Sequence, residues 1–224
     1  MATNPENAYR NGTMYSSYTA ATFARKYMLA DQYNINFLGA VSWSFEFENQ
    51  PWFYGFRDLA TNGVDKPVLN VFRMFGMMSG DRVNVNANRM YSLKTVVDSS
   101  IRGAQTDIGA LATKASKSAA VMVWNYHDDD LQGPAEPVNV TIKGIPAKAV
   151  TTKIYLIDSE NSNSYEVWKK MGSPQNPSVE QISTLEKSGS LKCIDVQKRI
   201  IKSGSTVVPL SLKRQAVALI TVSW

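Results

Sequence analysis

One almost entirely apolar segment limits what the first third of this chain can fold into. It runs from Ile35 to Trp43, INFLGAVSW, and only Asn36 and Ser42 are polar. A half-exposed antiparallel strand alternates apolar and polar residues, whereas a strand covered on both faces is apolar at nearly every position. The segment therefore predicts a buried strand of an α/β arrangement.

Helical patterns flank this predicted strand on both sides. In residues 16–33, Ser16 or Ser17 could cap a helix, and one helical face carries Ala20, Phe23, Ala24, Tyr27 and Met28. Downstream, Pro67 begins PVLNVFRMFGMM, and proline suits a first helical turn because its missing N–H would have no partner there. Helix, strand, long loop and helix form an α/β unit, which needs further strands to complete a sheet.

The pattern changes near Ser79–Gly80, which predicts a division into residues 1–79 and 80–224. Strand-like runs bounded by turn residues follow: RVNVNA, AAVMVWNYH, PVNVTIKGI, TTKIYLID, STVVPLSL and AVALITVSW. VNVTI and AVALITVSW alternate with a period of two, as in a sheet with one covered face. The pattern predicts a β-sandwich, with a helical insertion over residues 163–189.

Composition excludes several classes of partner. The 24 basic and 19 acidic residues give a net charge of +5 without a basic stripe, so we expect no nucleic-acid partner. No apolar run approaches the roughly 18 residues of a membrane span, so no membrane partner is expected.

The single Cys193 excludes an internal disulfide. We expect no cofactor and no metal, and the polar start after Met1 predicts no export signal.

The stretch AVSWSFEFENQPWF, residues 40–53, is here called the ring-and-acid segment because aromatic rings alternate with Glu46 and Glu48. It begins a loop, Ser44 to Lys66, that far exceeds the usual roughly two to six residues of a strand-to-helix connection. Aromatic faces stack on sugar rings, and carboxylates accept hydrogen bonds from paired hydroxyls. Two interpretations remain open: a sugar pocket, or aromatic rings that cover a core while the acids face water.

Glu46 and Glu48 do not form a catalytic pair by themselves. Glycoside hydrolysis with retention needs two carboxyl groups about 5–5.5 Å apart on opposite sides of the scissile bond. Residues i and i+2 of an extended loop point to the same side. The first 35 residues add only Glu6 and Asp31, so the two glutamates are expected to hold substrate rather than react with it.

Long segments of the chain resemble glycoside hydrolase family 39, the β-xylosidase and α-L-iduronidase family. GAVSWSFEFENQPWFYGFRDLATNGVDKPVLNVFRMFG is similar to its last barrel strand, loop and helix, and NPENAYRNGTMYSSYTAATFARKY to the segment after its nucleophile. VMVWNYHDDD, IDSENSNSYEVWKKMGSPQNPSVEQ and LKRQAVALITVSW resemble its accessory sandwich. The chain is identified as a C-terminal part of a family member.

This resemblance implies a mainly β fold, in which the last helix–strand–helix portion of a (β/α)8 barrel precedes a C-terminal β-sandwich. It also implies a retaining hydrolase that removes terminal β-xylosyl groups from xylo-oligosaccharides. The acid/base and nucleophile glutamates of the family lie upstream of Met1. No catalytic residue is therefore expected in this chain, and little or no turnover is expected from the chain alone.

The resemblance also assigns substrate-binding residues. Trp43 matches a tryptophan that lines the −1 sugar site, and Glu48 matches a glutamate that hydrogen-bonds sugar hydroxyls. The loop is two residues shorter than in the family and Asn49 replaces a second glutamate, so Glu46 and Glu48 remain interchangeable in this assignment. Phe47, between them, completes the predicted set.

Alternative interpretations remain for other residues and for the chain as a whole. His127 with the three aspartates after it could form a metal or acid–base site, although a strand end and turn explains the pattern better. Trp124 and Trp168 could form a lectin-like face of a non-catalytic carbohydrate-binding module, although core packing is favoured. A structural remnant with exposed barrel-strand edges would associate, so a homo-oligomer is a possible partner state.

Overall fold

The computed structural model describes residues 5–41, 49–131 and 133–224, without the side chains of residues 5 and 6. A 3-10 helix, Pro5–Asn11, precedes the α-helices α1 Thr13–Gln32, α2 Pro67–Gly76, α3 Leu93–Ser99, α4 Ser164–Lys170 and α5 Val179–Gly189. The strands within the described residues are β1 Ala60–Thr61, β2 Val64–Asp65, β3 Asp81–Val83, β4 Asp107–Lys114, β5 Ser118–Tyr126, β6 Glu136–Lys143, β7 Ala149–Ile157, β8 Lys192–Ile200, β9 Ser205–Leu212 and β10 Val217–Ser223. With 29% helix and 32% strand, the fold is mixed rather than mainly β.

A six-stranded antiparallel sheet forms the centre of the molecule, in the order β3-β4-β5-β10-β7-β8. The last strand of the chain, β10, lies between β5 and β7 and pairs with both from Val217 to Ser223. Strands β6 and β9 form a separate antiparallel pair over their full length. The sheet is therefore completed by the final residues of the sequence.

Both faces of the six-stranded sheet are covered. On one face, Val208 and Leu212 of β9 pack with Ala218, Ile220 and Val222 of β10. The opposite face of β10, with Val217 and Leu219, packs against α1 and α2. The pair β6–β9 facing the large sheet agrees in part with the predicted β-sandwich, but the predicted single covered face for AVALITVSW is wrong because helices cover the second face.

Small residues allow α1 to lie directly on the sheet. Ala20, Ala21 and Ala24 are buried in the cluster that contains Met122 and Trp124 of β5. Phe23 lies beside the neighbouring helix, with its ring centroid 5.4 Å from that of Phe75 on α2. The helix begins at Thr13, so the predicted caps Ser16 and Ser17 instead lie inside its first turns, where both are buried.

Two polar connections fix α1 to the sheet. Arg25 forms an ion pair with the fully buried Asp107 of β4 at 2.8 Å, and the same carboxylate accepts a hydrogen bond from the Trp124 indole N–H at 2.7 Å. Near the other end of the helix, the Ser17 hydroxyl donates to Gln215 Oε1 at 2.6 Å. Buried ionic groups require such partners, so these contacts define where the helix sits.

The predicted strands after Gly80 are found, although RVNVNA is a strand only within Asp81–Val83. The helical insertion is also confirmed as α4 and α5, and Ser178 and Gln181 form a capping box at α5. The sequence analysis missed α3, β4 and β8. Gly109 interrupts the pattern of β4 because a side chain there would meet the Trp124 ring 2.4 Å from its Cβ position.

The predicted strand from Ile35 to Trp43 is not observed over Ile35–Val41, the part that the structure describes. Within the described residues, no strand pairs with this segment. Leu38 and Val41 are 91% and 97% exposed. A strand is defined by inter-strand hydrogen bonds, and apolar character on both faces cannot replace them.

The predicted division at Ser79–Gly80 falls between α2 and β3. Helices α1 and α2 share buried contacts with β5 and β10, and the division remains a prediction. Among the helices in the described part of the chain, none combines the length and apolarity needed to cross a membrane.

Breaking the buried ion pair should destabilise the fold far more than breaking an exposed one. Arg25→Ala leaves the Asp107 carboxylate buried without its cation, and we expect the free energy of unfolding to fall by about 3 kcal/mol. Urea denaturation measures the loss. The matched control is Arg82→Ala, whose partner Asp31 is exposed, so that its loss should cost far less than the loss of Arg25. Equal losses for the two variants would contradict the structural role assigned to Arg25.

Candidate functional site

All four predicted substrate-binding residues lie outside the described residues. Trp43, Glu46, Phe47 and Glu48 belong to residues 42–48 of the ring-and-acid segment. The structure does describe the chain on both sides, residues 35–41 and 49–66. The contacts of these two flanks are therefore what the structure shows next to the predicted site.

The two aromatic residues at the end of the segment belong to a core. Trp52 and Phe53 are buried with Trp168 and Leu185 of the helical insertion. The Phe53 ring centroid lies 5.0 Å from that of Trp168 and 5.3 Å from that of Tyr165. Of the two interpretations left open by the sequence, the core interpretation is correct for Trp52 and Phe53.

Hydrogen bonds from distant parts of the chain fix the backbone of the loop here. Gln175, between α4 and α5, accepts from Trp52 N at 2.9 Å and donates to Trp52 O at 3.2 Å. The buried Asn11 amide donates to Phe53 O at 2.6 Å. The Phe53 N–H donates to the Thr61 hydroxyl at 3.2 Å. The loop is thus held by the start of α1, by the helical insertion and by β1.

The same loop turns back on itself before α2. Asn62 and Gly63 have φ values of 47° and 82°, as the two central residues of a tight hairpin turn require, and β1 pairs with β2. Lys66 and Asp58 form a buried ion pair behind this hairpin. Burial lowers the pKa of the Lys66 ammonium, and the Asp58 carboxylate opposes that shift.

His127 has a structural environment. Its Nε2 lies 2.9 Å from Gly103 O, and its Nδ1 accepts from Asp129 N at 3.0 Å. Among the described residues, no group of histidine, cysteine and acidic side chains could hold a metal ion. The strand-end and turn interpretation of His127 therefore holds.

Trp124 and Trp168 do not form the alternative lectin-like face. Trp124 is 0% exposed and Trp168 is 1% exposed. The Trp124 indole N–H donates to Asp107, and that of Trp168 donates to Pro174 O at 2.9 Å. Both residues pack in cores, as favoured from the sequence.

An open cleft of about 640 Å³ lies where the first turns of α1 meet the turn after β5. We call it the tyrosine cleft; its lining includes Tyr9, Tyr15, Tyr18, Tyr126, Arg57, Asp128, Asp129 and Asp130. At its base, the Tyr126 hydroxyl donates to Asp128 Oδ1 at 2.7 Å. Burial, reinforced by this hydrogen bond, raises the pKa of the Tyr126 phenol.

The sequence shows no sign of the loop contacts made by Gln175 and Asn11 or of the tyrosine cleft. Gln175 and Asn11 each bind a residue more than 40 positions away in the sequence. Contacts over such distances leave no periodic pattern in a single sequence. The cleft joins α1 to a turn more than 100 residues later. Its aspartates were considered only as metal ligands or turn residues.

Comparison with known proteins identifies the family of the chain. The sequence profile of the glycosyl hydrolases family 39 matches residues 2–204, which is nearly the whole chain. The chain belongs to this family, and the resemblance seen in the sequence is confirmed.

Individual relatives agree with this assignment. A β-xylosidase of Caldicellulosiruptor saccharolyticus is 24% identical over 172 residues, which are 77% of this chain and 32% of that protein. Two crystal structures each superpose on 99% of this chain and 43% of theirs with a TM-score of 0.75: a family 39 enzyme of Xanthomonas axonopodis pv. citri, 15% identical, and a monomeric β-xylosidase of Caulobacter crescentus, 14% identical. The chain thus spans less than half of these proteins and corresponds to a C-terminal part of a family member.

Loss of the Gln175 side chain should loosen the loop that follows the ring-and-acid segment. Gln175→Ala removes both hydrogen bonds to Trp52 and leaves a partly buried N–H without a partner, which costs roughly 1–3 kcal/mol locally. We expect amide hydrogen exchange over residues 50–61 to accelerate about tenfold, while exchange in β10 stays unchanged. Gln197→Ala, at an exposed position of β8, is the control. Unchanged exchange in residues 50–61 would show that the insertion does not hold the loop.

The buried phenol of Tyr126 should make stability fall in alkali. Its folded pKa is raised, whereas the unfolded chain releases this proton near pH 10. The stabilisation is therefore complete below pH 10 and is lost as the pH rises further. Between pH 9 and pH 11, Tyr126→Phe should lose about 1 kcal/mol less unfolding free energy than the unmodified chain in urea titrations. Tyr33→Phe, at an exposed position, is the control, and identical slopes for all three proteins would contradict the assignment.

Proposed function

We propose that this chain is the C-terminal part of a retaining glycosidase of the β-xylosidase type, which removes terminal β-xylosyl groups from xylo-oligosaccharides. The family match over residues 2–204 carries this proposal, and the β-xylosidase relatives support the substrate class. The reacting glutamates are proposed to lie in upstream polypeptide. This agrees with the absence of a competent acid pair in the first 35 residues.

In this proposal, α1, residues 35–43 and α2 are the last helix, strand and helix of a (β/α)8 barrel, and residues 80–224 form the accessory domain. The ring-and-acid segment then begins at the end of a barrel strand, where barrel enzymes place their chemistry. Trp43 would line the sugar site and Glu48 would accept hydrogen bonds from sugar hydroxyls. Glu46 is the alternative acceptor, and Phe47 completes the set.

The anchored loop gives this site a physical basis. A group that stabilises a transition state must be held in place before the reaction. The backbone at Trp52 and Phe53 is tied to Gln175, Asn11 and Thr61. These ties begin four residues after Glu48 in the sequence.

A non-catalytic carbohydrate-binding module is the weaker alternative. Its predicted aromatic face consisted of Trp124 and Trp168, and both are buried. Binding by that face would require the core to open.

Activity assays on two proteins test the proposal. With nitrophenyl β-xyloside, the longer protein that contains this chain should turn over, and residues 1–224 alone should not. In the longer protein, Glu48→Gln should lower kcat/KM about 100-fold, because hydrogen bonds to sugar hydroxyls strengthen in the transition state, and Trp43→Ala should raise KM.

Glu180→Gln, on the exposed first turn of α5, is the matched control and should leave both constants unchanged. Robust turnover by residues 1–224 that Glu48→Gln abolishes would contradict the placement of the reacting glutamates upstream. An inactive longer protein would overturn the assignment of the activity itself.

A further inference from the structure

We propose that the tyrosine cleft is a binding subsite for a neutral oligosaccharide. The cleft is open and has a volume of about 640 Å³, which falls within the range of ligand sites, roughly 300–1,000 Å³. The choice of a xylose-based probe rests on the proposed function. The subsite itself rests on the rings and charges of the cleft.

Two neighbouring tyrosine rings on α1 line the cleft, and of the two Tyr18 is exposed whereas Tyr15 is half-buried. Tyr15 and Tyr18 are three residues apart, so they lie on the same side of the helix. Their ring centroids are 6.4 Å apart and their planes differ by only 15°. Tyr18 is 45% exposed. Nearly parallel phenol faces at this separation suit the C–H faces of sugar rings, and each phenol hydroxyl adds a polar edge.

Polar groups of both signs stand beside these rings. Arg57 is exposed in the cleft, and a guanidinium offers up to five N–H donors to hydroxyl oxygens. Asp130 is exposed and offers acceptors. Asp129 offers further acceptors beside Arg102, whose Nε lies 3.9 Å from Asp129 Oδ1, and Asp128 already accepts from Tyr126 and from Ile101 N. A ligand that carries many hydroxyls and no charge can use donors and acceptors together. Arg57 would repel a cationic ligand, and Asp129 and Asp130 would repel an anionic ligand.

The floor of the cleft is fixed, so little ordering is needed when a ligand binds. Gln215 Nε2 donates to His127 O at 2.7 Å and to Asp129 O at 3.1 Å. Gln215 Oε1 accepts from the Ser17 hydroxyl at 2.6 Å, which ties the turn after β5 to α1. Pre-organisation of this kind lowers the entropy cost of binding.

Titration of the 224-residue chain with xylotetraose, followed by amide NMR shifts, tests the proposal. We expect saturable shifts centred on residues 9–18 and 126–130, with a Kd of about 1 mM. Tyr18→Ala removes the exposed ring face and should weaken binding about fivefold. Asp130→Asn should weaken it about threefold, because a charged acceptor is replaced by a neutral one.

Tyr33→Ala is the matched control, since Tyr33 is 65% exposed just beyond the other end of α1 and should leave the Kd unchanged. Choline and inorganic phosphate serve as charged probes, and displacement of the sugar by either would overturn the claim of a neutral ligand. No saturable shift up to about 20 mM sugar, or a Kd unaffected by Tyr18→Ala and Asp130→Asn, would overturn the subsite. Shifts confined to residues 43–48 would overturn the subsite while supporting the proposed function, and the activity assays read that function independently.

Discussion

The packing of α1 on the six-stranded sheet is the contact on which the rest of the structure depends. Three alanines bring the helix close enough to bury the middle of β5 and β10. Two polar side chains of α1 lie in that interface: Arg25 pairs with Asp107, and the Ser17 hydroxyl donates to Gln215. Because an unpaired charge there would be costly, the helix has one favourable position. The start of the chain is thereby fixed relative to its last strand.

That fixed position determines where the loop before α2 can lie. Asn11 directly precedes α1 and its side-chain amide donates to Phe53 O. This hydrogen bond fixes the loop relative to the helix. From the other side, Phe53 and Trp52 pack into the aromatic cluster of the helical insertion. Two elements more than 150 residues apart in sequence therefore hold one loop between them. The insertion has a structural role in this arrangement, since it supports the backbone next to the ring-and-acid segment.

Local patterns predicted much of the fold, and contacts distant in sequence explain what they missed. Pro67 marks the start of α2, because its effect on the backbone acts within one helical turn, and the predicted helical insertion is found as α4 and α5. The sequence did not indicate strand β4 because Gly109 interrupts its pattern. Glycine is required there because the Trp124 ring of the neighbouring strand occupies the space that a side chain would need. Strand β8 was missed because it lies at a sheet edge with charged, exposed residues. For the predicted site, the sequence correctly separated the core tryptophans from a binding face, whereas Gln175 gave no signal.

The segment Ile35–Val41 shows how an apolar pattern and an observed conformation can differ for a physical reason. Leu38 and Val41 are almost fully exposed, and exposed apolar area costs roughly 25 cal/mol per Å² relative to burial. Natural chains rarely leave such residues uncovered next to one another. Phe37 is partly sheltered, with its ring centroid 5.2 Å from that of Tyr27. In the proposed barrel, neighbouring strands would supply both the missing hydrogen bonds and the missing cover. The sequence pattern therefore fits burial of this segment in the proposed barrel, although over residues 35–41 the strand that it predicts is not observed.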